Sequence, residues 1–274
     1  MILGTYVLNN IYDEHPFWQV QLLIKSIRMK PAKIQAIAVS NLPIFNVGDD
    51  ISRIILDNFE LKEGDIVVIT SKIISKTEGR LVKASDITVS SRAKEIADRN
   101  GFDPKHVELA LRESVDIVRE EGVLITETKS GIVCNFSGVD RSNAPPGEYV
   151  LLPVNPDESA KVVRDGLIEK TGLNVAVIIS DTHGRPWRKG SINVAIGCAG
   201  IDAFKYNQGK KDLRGRILKR STICQIDEIA AYVEPLMGQA NENSPVIIVR
   251  DYDYTEGNAR GKDILRKKED DMFR

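Results

Sequence analysis

The chain has few cysteines, no long apolar run and almost no net charge, and each shortage excludes a class of protein. Three cysteines, Cys134, Cys198 and Cys224, stand far apart along 274 residues. They form neither a disulfide framework nor the paired spacing of a zinc site. They fit a reducing compartment, read here as the cytoplasm. No apolar stretch approaches the ~20 residues that a membrane-spanning helix needs, so no membrane role is expected. The formal net charge is -1, which argues against wholesale nucleic-acid binding. No G-x-x-x-x-G-K-[ST] loop occurs. Met1-Ile-Leu-Gly-Thr-Tyr has neither the cleavage pattern of a signal peptide nor the character of a basic presequence. Internal repeats and low-complexity segments are absent.

What is present is an ordinary globular composition, 42% hydrophobic and 28% charged, long enough to bury a substantial core. The charge is unevenly spread. From His183 to Arg220 there are ten Lys/Arg, opposed only by Asp202 and Asp212. A local cationic field in a neutral chain points to a small polyanion.

The stretch that organises the chain is 175–190. Val175 to Ile179 is unbroken and β-branched, which predicts a buried strand. It is expected to end at Ser180-Asp181-Thr182-His183-Gly184-Arg185. A carboxylate at the mouth of a buried strand suits a hard cation, and Arg185, Arg188 and Lys189 suit anionic oxygens. A turn-capping Asp followed by a solvated basic loop fits the same residues.

The remaining periodicities predict an alternation of short strands and helices. Strands are expected over 34–39, 66–69 and 246–249. The first leads into Ser40-Asn-Leu-Pro-Ile-Phe45, where Pro43 breaks the strand. Helices are expected over 49–59, 88–100, 104–121 and 159–171, with Gly101, Gly122 and Gly172 as terminators. Segments 123–128 and 132–136 are expected to pair as a hairpin. His106, in the first turn of its helix, is read as a surface or capping residue. The second strand exits into Thr70, Ser71 and Lys72, with Lys76 beyond; hydroxyls and lysines there serve phosphate oxygens or form a solvated strand end. Asp140 and Asn143 lie in a polar loop, 137–147. Residues 192–201 read as a strand or tight packing, 221–236 as strand then helix, and 237–244 as a polar loop. The charged tail from Arg260 reads as a solvated helix or frayed end.

Seven short motifs stand in one order: Ser40-Asn-Leu-Pro-Ile, Thr70-Ser-Lys-Ile-Ile-Ser-Lys-Thr-Glu-Gly, Ser137-Gly-Val-Asp-Arg-Ser-Asn, Ser180-Asp-Thr-His-Gly-Arg, Gly209-Lys-Lys-Asp-Leu-Arg-Gly, Asp227-Glu-Ile-Ala and Leu236-Met-Gly-Gln. Together they resemble the coenzyme F420-0:γ-glutamyl ligase family, in its stand-alone archaeal form, over about residues 34–250. The resemblance implies a mixed α/β (α+β) two-lobed fold and an intertwined homodimer. It implies GTP-dependent addition of L-glutamate to coenzyme F420-0, then of a γ-linked second glutamate to F420-1, through an acyl phosphate. It implies Mn²⁺ or Mg²⁺, two ions, and admits K⁺. The metal ligands would be Asp140, Asp181, Thr182 and Gln239. The GTP contacts would be Leu42, Pro43, Ile44, Phe45, Ser71, Lys72, Lys76, Asn143, Met237, Gly238, Gln239, Ala240, Asn241, Glu242, Asn243 and Ser244. Lys76, Arg185 and Arg188 are the candidate charge stabilisers, and no general base is assigned. Trp187 would stack on the deazaflavin or serve packing. Residues 1–33 have no counterpart in the resemblance and are expected to be an N-terminal extension: either translation starts at Met29 and 1–28 lie upstream of it, or they are a real N-terminal arm, which could be helical; 34–274 would be the ligase domain. Two other readings fit the same residues: another metal-dependent amide ligase or nucleotide hydrolase, and a nucleotide- or flavin-binding module without turnover.

Overall fold

The computed structural model describes residues 33–272; the expected N-terminal extension lies outside them. The fold is mixed α/β, as predicted. Its centre is a five-stranded sheet of β1 (Gln35–Ala38), β2 (Ile66–Thr70), β8 (Ala176–Arg185), β9 (Arg188–Ala199) and β12 (Val246–Arg250), in the order β1-β12-β2-β8-β9. All neighbouring pairs are antiparallel except β2 and β8, which run parallel with Ile66 opposite Ala176 and Thr70 opposite Ser180.

The apolar runs are unbroken because both faces of this sheet are covered. On one face, Val67, Ile69, Val177, Ile179 and Ile248 pack with α1 (Ile51–Asn58), α2 (Ser71–Thr77) and α5 (Pro156–Thr171). On the other, Ile66, Val68, Ala176, Ile178 and Ile247 pack against Ile226, Ile229, Ala230 and Val233 of α6 (Gln225–Met237).

Two further hydrophobic clusters form a second lobe. One joins α3 (Ser91–Asn100) to α4 (Pro104–Glu113) through Ala93, Ile96, Val107 and Ala110. The other gathers Ile87, Leu109, Val139, Tyr149 and Leu151 beside the paired strands β3 (Leu81–Lys83) and β7 (Glu148–Val150). The expected hairpin forms, with β5 (Ile125–Thr128) antiparallel to β6 (Val133–Asn135). The expected glycine stops of two helices are also present: Gly101 (φ 70°) and Gly172 (φ 72°) both cap in the left-handed region, where a side chain is costly.

Three expectations are overturned. The helix over 104–121 ends at Glu113, and Ser114–Arg119 continues as β4, paired with β5. The segment Val115-Asp-Ile-Val118 carries three β-branched residues, and strand pairing wins over the helical spacing of Val107, Leu111, Val115 and Val118; Val115 is 64% exposed. The central strand does not stop at Ile179. Its polar half, Ser180 to Arg185, stays extended because β9 pairs with it down to Arg185 opposite Arg188. The charged tail is not a frayed end. Asp157 accepts hydrogen bonds from the backbone N–H of Cys198 on β9 and of Gly261 in the tail. Leu265 packs on the first core cluster, and Lys268 reaches Asp116 of β4 at 3.0 Å. A short pair, β10 (Phe204–Tyr206) with β11 (Thr222–Cys224), brackets the basic loop.

Two stability predictions follow from these contacts. A Cβ at Gly261 would stand 2.7 Å from the Gly197 Cα. Gly261→Val is therefore expected to cost about 1–3 kcal/mol and to raise amide hydrogen exchange across 261–272; unchanged exchange there would refute the docked tail. Asp50 caps α1 by accepting from the Arg53 N–H at 3.0 Å and lies 3.2 Å from Lys170. That backbone hydrogen bond first, and Lys170 after it, hold its carboxyl below the ordinary 3.8 against the opposing effect of burial. A depressed carboxyl stabilises above the unfolded value and loses its effect as pH falls through the folded one. Asp50→Ala should thus lower urea-unfolding stability by about 1 kcal/mol at neutral pH, and the deficit should close as pH drops below 3.8.

Candidate functional site

The parallel pair β2–β8 delivers two chain segments to the same edge of the sheet. Open sheets place their ligand crevices at the carboxyl ends of strands. Directly after Thr70 and Ser180, which face each other, come Ser71 and Asp181. The Ser71 hydroxyl donates to Asp181 Oδ1 at 2.6 Å. The next residue, Lys72, reaches across to the second lobe, where its ammonium sits 2.8 Å from Asp140 Oδ2 and donates to the Ser142 hydroxyl. Lys72 and Lys76 belong to a short helix, α2, and not to a solvated strand end.

Asp140 is held in place by backbone. Its N–H and C=O pair with Val150 at 2.9 and 2.8 Å, and its carboxylate accepts from the N–H groups of Arg141 and Ser142 and from the Ser142 hydroxyl. Burial works to raise its pKa, but the hydrogen bonds from Lys72 and Ser142 outweigh that and keep it below the usual carboxylate range. Asp140 is an anion ready to face cations.

Strand alternation divides the predicted ligands between two faces. Asp181 points to the α2 side. Thr182 points to the α6 side, where its hydroxyl donates to Asn193 at 2.8 Å and accepts from the Gln239 amide at 2.9 Å. Gln239 also lies 3.2 Å from Glu234. Asn143 donates to the Ala240 carbonyl at 3.4 Å, closing the loop 240–244 toward the second lobe. One cavity of about 1810 Å³ takes in both faces. It is lined by Pro43 to Val47, Lys72, Lys76, Asp140, Asn143, Asp181 to Trp187 and Met237 to Pro245.

Most of the residues predicted for the site meet at this cavity. Leu42 does not: it is 5% exposed and belongs to the core beneath. Ser71 is buried and acts through its bond to Asp181. Arg185 lines the cavity, while Arg188 sits exposed on the hairpin tip beside Trp187, itself 76% exposed and lining the cavity. His106 is not on the surface. It stacks on Phe136 with centroids 4.2 Å apart and bonds to the Val139 carbonyl, and burial pushes its pKa down. Cys134, Val118 and Val123, none of them expected at the site from the sequence, line the same cavity. Burial first, then the charge of Asp181, push the Cys134 thiol up to about 12, so it is no nucleophile at neutral pH.

Among the described residues no group of three or more His, Cys, Asp or Glu stands ready to cage a metal. The oxygen donors that line the cavity are hard ones, two carboxylates on one face and a hydroxyl and an amide carbonyl on the other. They fit Mg²⁺ or Mn²⁺, which typically take one or two carboxylates and complete their shell with water and phosphate oxygens. No helix among the described residues is long and apolar enough to cross a membrane.

Two lysines, two carboxylates and polar loops line one large cavity, a lining suited to charged oxygens, and comparison with known proteins gives its class, a ligase. The family model for F420-0:Gamma-glutamyl ligase matches residues 40–251, and the chain belongs to that family. The Coenzyme F420:L-glutamate ligase of Methanocaldococcus jannaschii is 43% identical over 244 residues, covering 88% of this chain and 97% of that one. The protein of the same name from Methanopyrus kandleri is 42% identical over 232 residues, 83% of this chain and 92% of its own. That of Archaeoglobus fulgidus is 38% identical over 242 residues, covering 88% and 97%.

Lys76 yields a test that needs no substrate. Burial, and then the charge of Lys72, lower its ammonium below the ordinary 10.5. A lysine is charged only below its pKa. Affinity for metal-free inorganic triphosphate should therefore fall earlier on the alkaline side than a solvated lysine would allow. Lys76→Arg should bind evenly over that range, because the guanidinium stays charged. Isothermal titration calorimetry from neutral pH to about pH 10 checks this, and parallel curves for the two proteins would sink it.

Proposed function

We propose that this ligase attaches L-glutamate to coenzyme F420-0 at the expense of GTP, then adds a second glutamate to F420-1 through its γ-carboxylate. The observation that carries the reading is the single cavity of about 1810 Å³ that brings Lys72, Lys76, Asp140 and Asp181 together. It exceeds the ~300–1,000 Å³ of a pocket for one small molecule, as a site for a nucleotide and a second large substrate must. The names of the relatives carry coenzyme F420 and L-glutamate; to these we add GTP as the phosphoryl donor.

A carboxylate is a poor electrophile toward an amine. Transfer of the γ-phosphoryl group of GTP to the coenzyme's lactyl carboxylate breaks the β–γ bridge, releases GDP and leaves an acyl phosphate. The glutamate amine then forms the amide and phosphate departs. Little covalent work falls to the protein, which positions the partners and neutralises charge. Lys72 and Lys76 take the phosphate oxygens. The loops 43–45 and 237–244 close around the nucleotide, with Asn143 joining the second of them to the opposite lobe. Arg185, which also lines the cavity, would meet the acidic coenzyme. Divalent cations, Mn²⁺ or Mg²⁺, held by Asp140 and Asp181 would neutralise phosphate charge and keep the transferring group in line. Thr182 and Gln239, bonded to each other on the opposite face, serve as the neutral edge of that cation site. K⁺ is a further candidate ion, and a homodimer is the proposed working unit.

Incubation with GTP, Mn²⁺ or Mg²⁺, glutamate and F420-0, followed by mass analysis, tests the reading. The expected result is the gain of one and then two glutamyl units, with GDP released in step. Asp181→Asn is expected to lower turnover by at least a hundredfold. GDP release that does not depend on glutamate would favour a nucleotide hydrolase instead.

A further inference from the structure

The cation site contains a nitrogen atom that the reading above does not use. His183 follows Asp181 by two residues on β8, so both side chains leave the strand on the same face. They converge at their tips, with His183 Nε2 3.2 Å from Asp181 Oδ2. The distance is that of an ion pair, yet the nitrogen is buried and has no hydrogen-bond partner. Proximity without alignment means that a proton on Nε2 would not point at the carboxylate.

A buried ring nitrogen without a hydrogen bond is costly to keep, and a structure that keeps one beside an anion gives its lone pair another use. The other oxygen of the carboxylate, Oδ1, is taken by the Ser71 hydroxyl at 2.6 Å. Both residues line the cavity, and Oδ2 and Nε2 stand side by side in its wall at 3.2 Å. Two neighbouring ligands of one six-coordinate ion, each ~2.1 Å from it, stand roughly 3 Å apart. The observed 3.2 Å is that separation.

We propose that His183 Nε2 and Asp181 Oδ2 bind one divalent cation together, so that the site is a mixed nitrogen–oxygen one. The proposal rests on the reading of Asp181 as a cation ligand. It gives the site a preference. An imidazole nitrogen adds far more to the binding of a transition metal such as Mn²⁺ than to that of Mg²⁺, which favours oxygen. The nearby Thr182 and Gln239, on the opposite face, contribute oxygen only.

Pulsed electron paramagnetic resonance of the full chain with Mn²⁺, with and without GTP, reads the nitrogen directly. Bound Mn²⁺ in the unaltered protein should show modulation from a coordinated ¹⁴N nucleus. His183→Gln should abolish it and weaken Mn²⁺ binding by about tenfold or more while leaving Mg²⁺ binding within about twofold. His106→Gln, which alters the other histidine lining the cavity, should keep it. Bound Mn²⁺ without ¹⁴N modulation in the unaltered protein overturns the proposal, and does so even if the variant fails to fold. Modulation that survives in His183→Gln overturns it too, as does the absence of any Mn²⁺ binding. The ligase assay is a separate readout. Nitrogen coordination without glutamyl transfer would refute the proposed reaction and leave the cation site standing, whereas transfer without nitrogen coordination would do the reverse.

Discussion

The parallel pairing of β2 with β8 is the constraint on which the rest of the structure depends. Every other neighbouring pair in the central sheet is antiparallel and would send consecutive strand ends to opposite edges. This one pair sends both carboxyl ends the same way, with Thr70 level with Ser180. A slip of one residue would turn Asp181 to the other face of the sheet. The register is fixed by burial: Ile66 to Ile69 and Ala176 to Ile179 are fully covered on both faces, and any shift would exchange two well-packed clusters.

That same burial explains how the polar atoms beyond the strands are organised. They stand at the margin of a dry core, where charges must be paired or face a ligand. Asp140 remains ionised against its burial because Lys72 and Ser142 reward the charge. Lys76, with Lys72 as a like-charged neighbour, is pushed the other way, toward losing its proton. A lysine destabilised as a cation gains most from an incoming anion, since the anion removes both the repulsion and part of the desolvation cost. Before a ligand binds the two lysines therefore differ: Lys72 is paired with Asp140 and ties the lobes, and Lys76 has the more to gain from an incoming anion.

The sequence made the strands of the sheet legible because they are buried on both sides and bounded by turn residues. Helix ends were legible where the signal is chemical, as at Gly101 and Gly172. Between residues 104 and 121 periodicity misled, because Val115, Ile117 and Val118 satisfy a helical spacing and a strand composition together; only the partner strand 125–128 decides. The extension of β8 to Arg185 was hidden for a similar reason, since a polar strand half looks like a loop until β9 is placed beside it. In the site, the motifs named most of the residues that meet at the cavity. They did not show that Leu42 turns inward, that Thr182 and Asp181 face opposite ways, or that Lys72 pairs with Asp140, because these depend on the packing of segments far apart in the chain.

The position of α2 draws these threads together. Ser71, its first residue, bonds to Asp181 on the central sheet. Lys72, its second, bonds to Asp140 on the lobe built around Tyr149 and Leu151. Its apolar side, Ile73 and Ile74, is fixed in the main core. One short helix therefore sets the relative placement of two carboxylates that belong to different hydrophobic clusters. A ligand that engages both carboxylates engages both clusters, and any displacement of one lobe against the other is felt first at the Lys72–Asp140 contact. The chemistry of the site and the cohesion of the two lobes rest on the same few bonds.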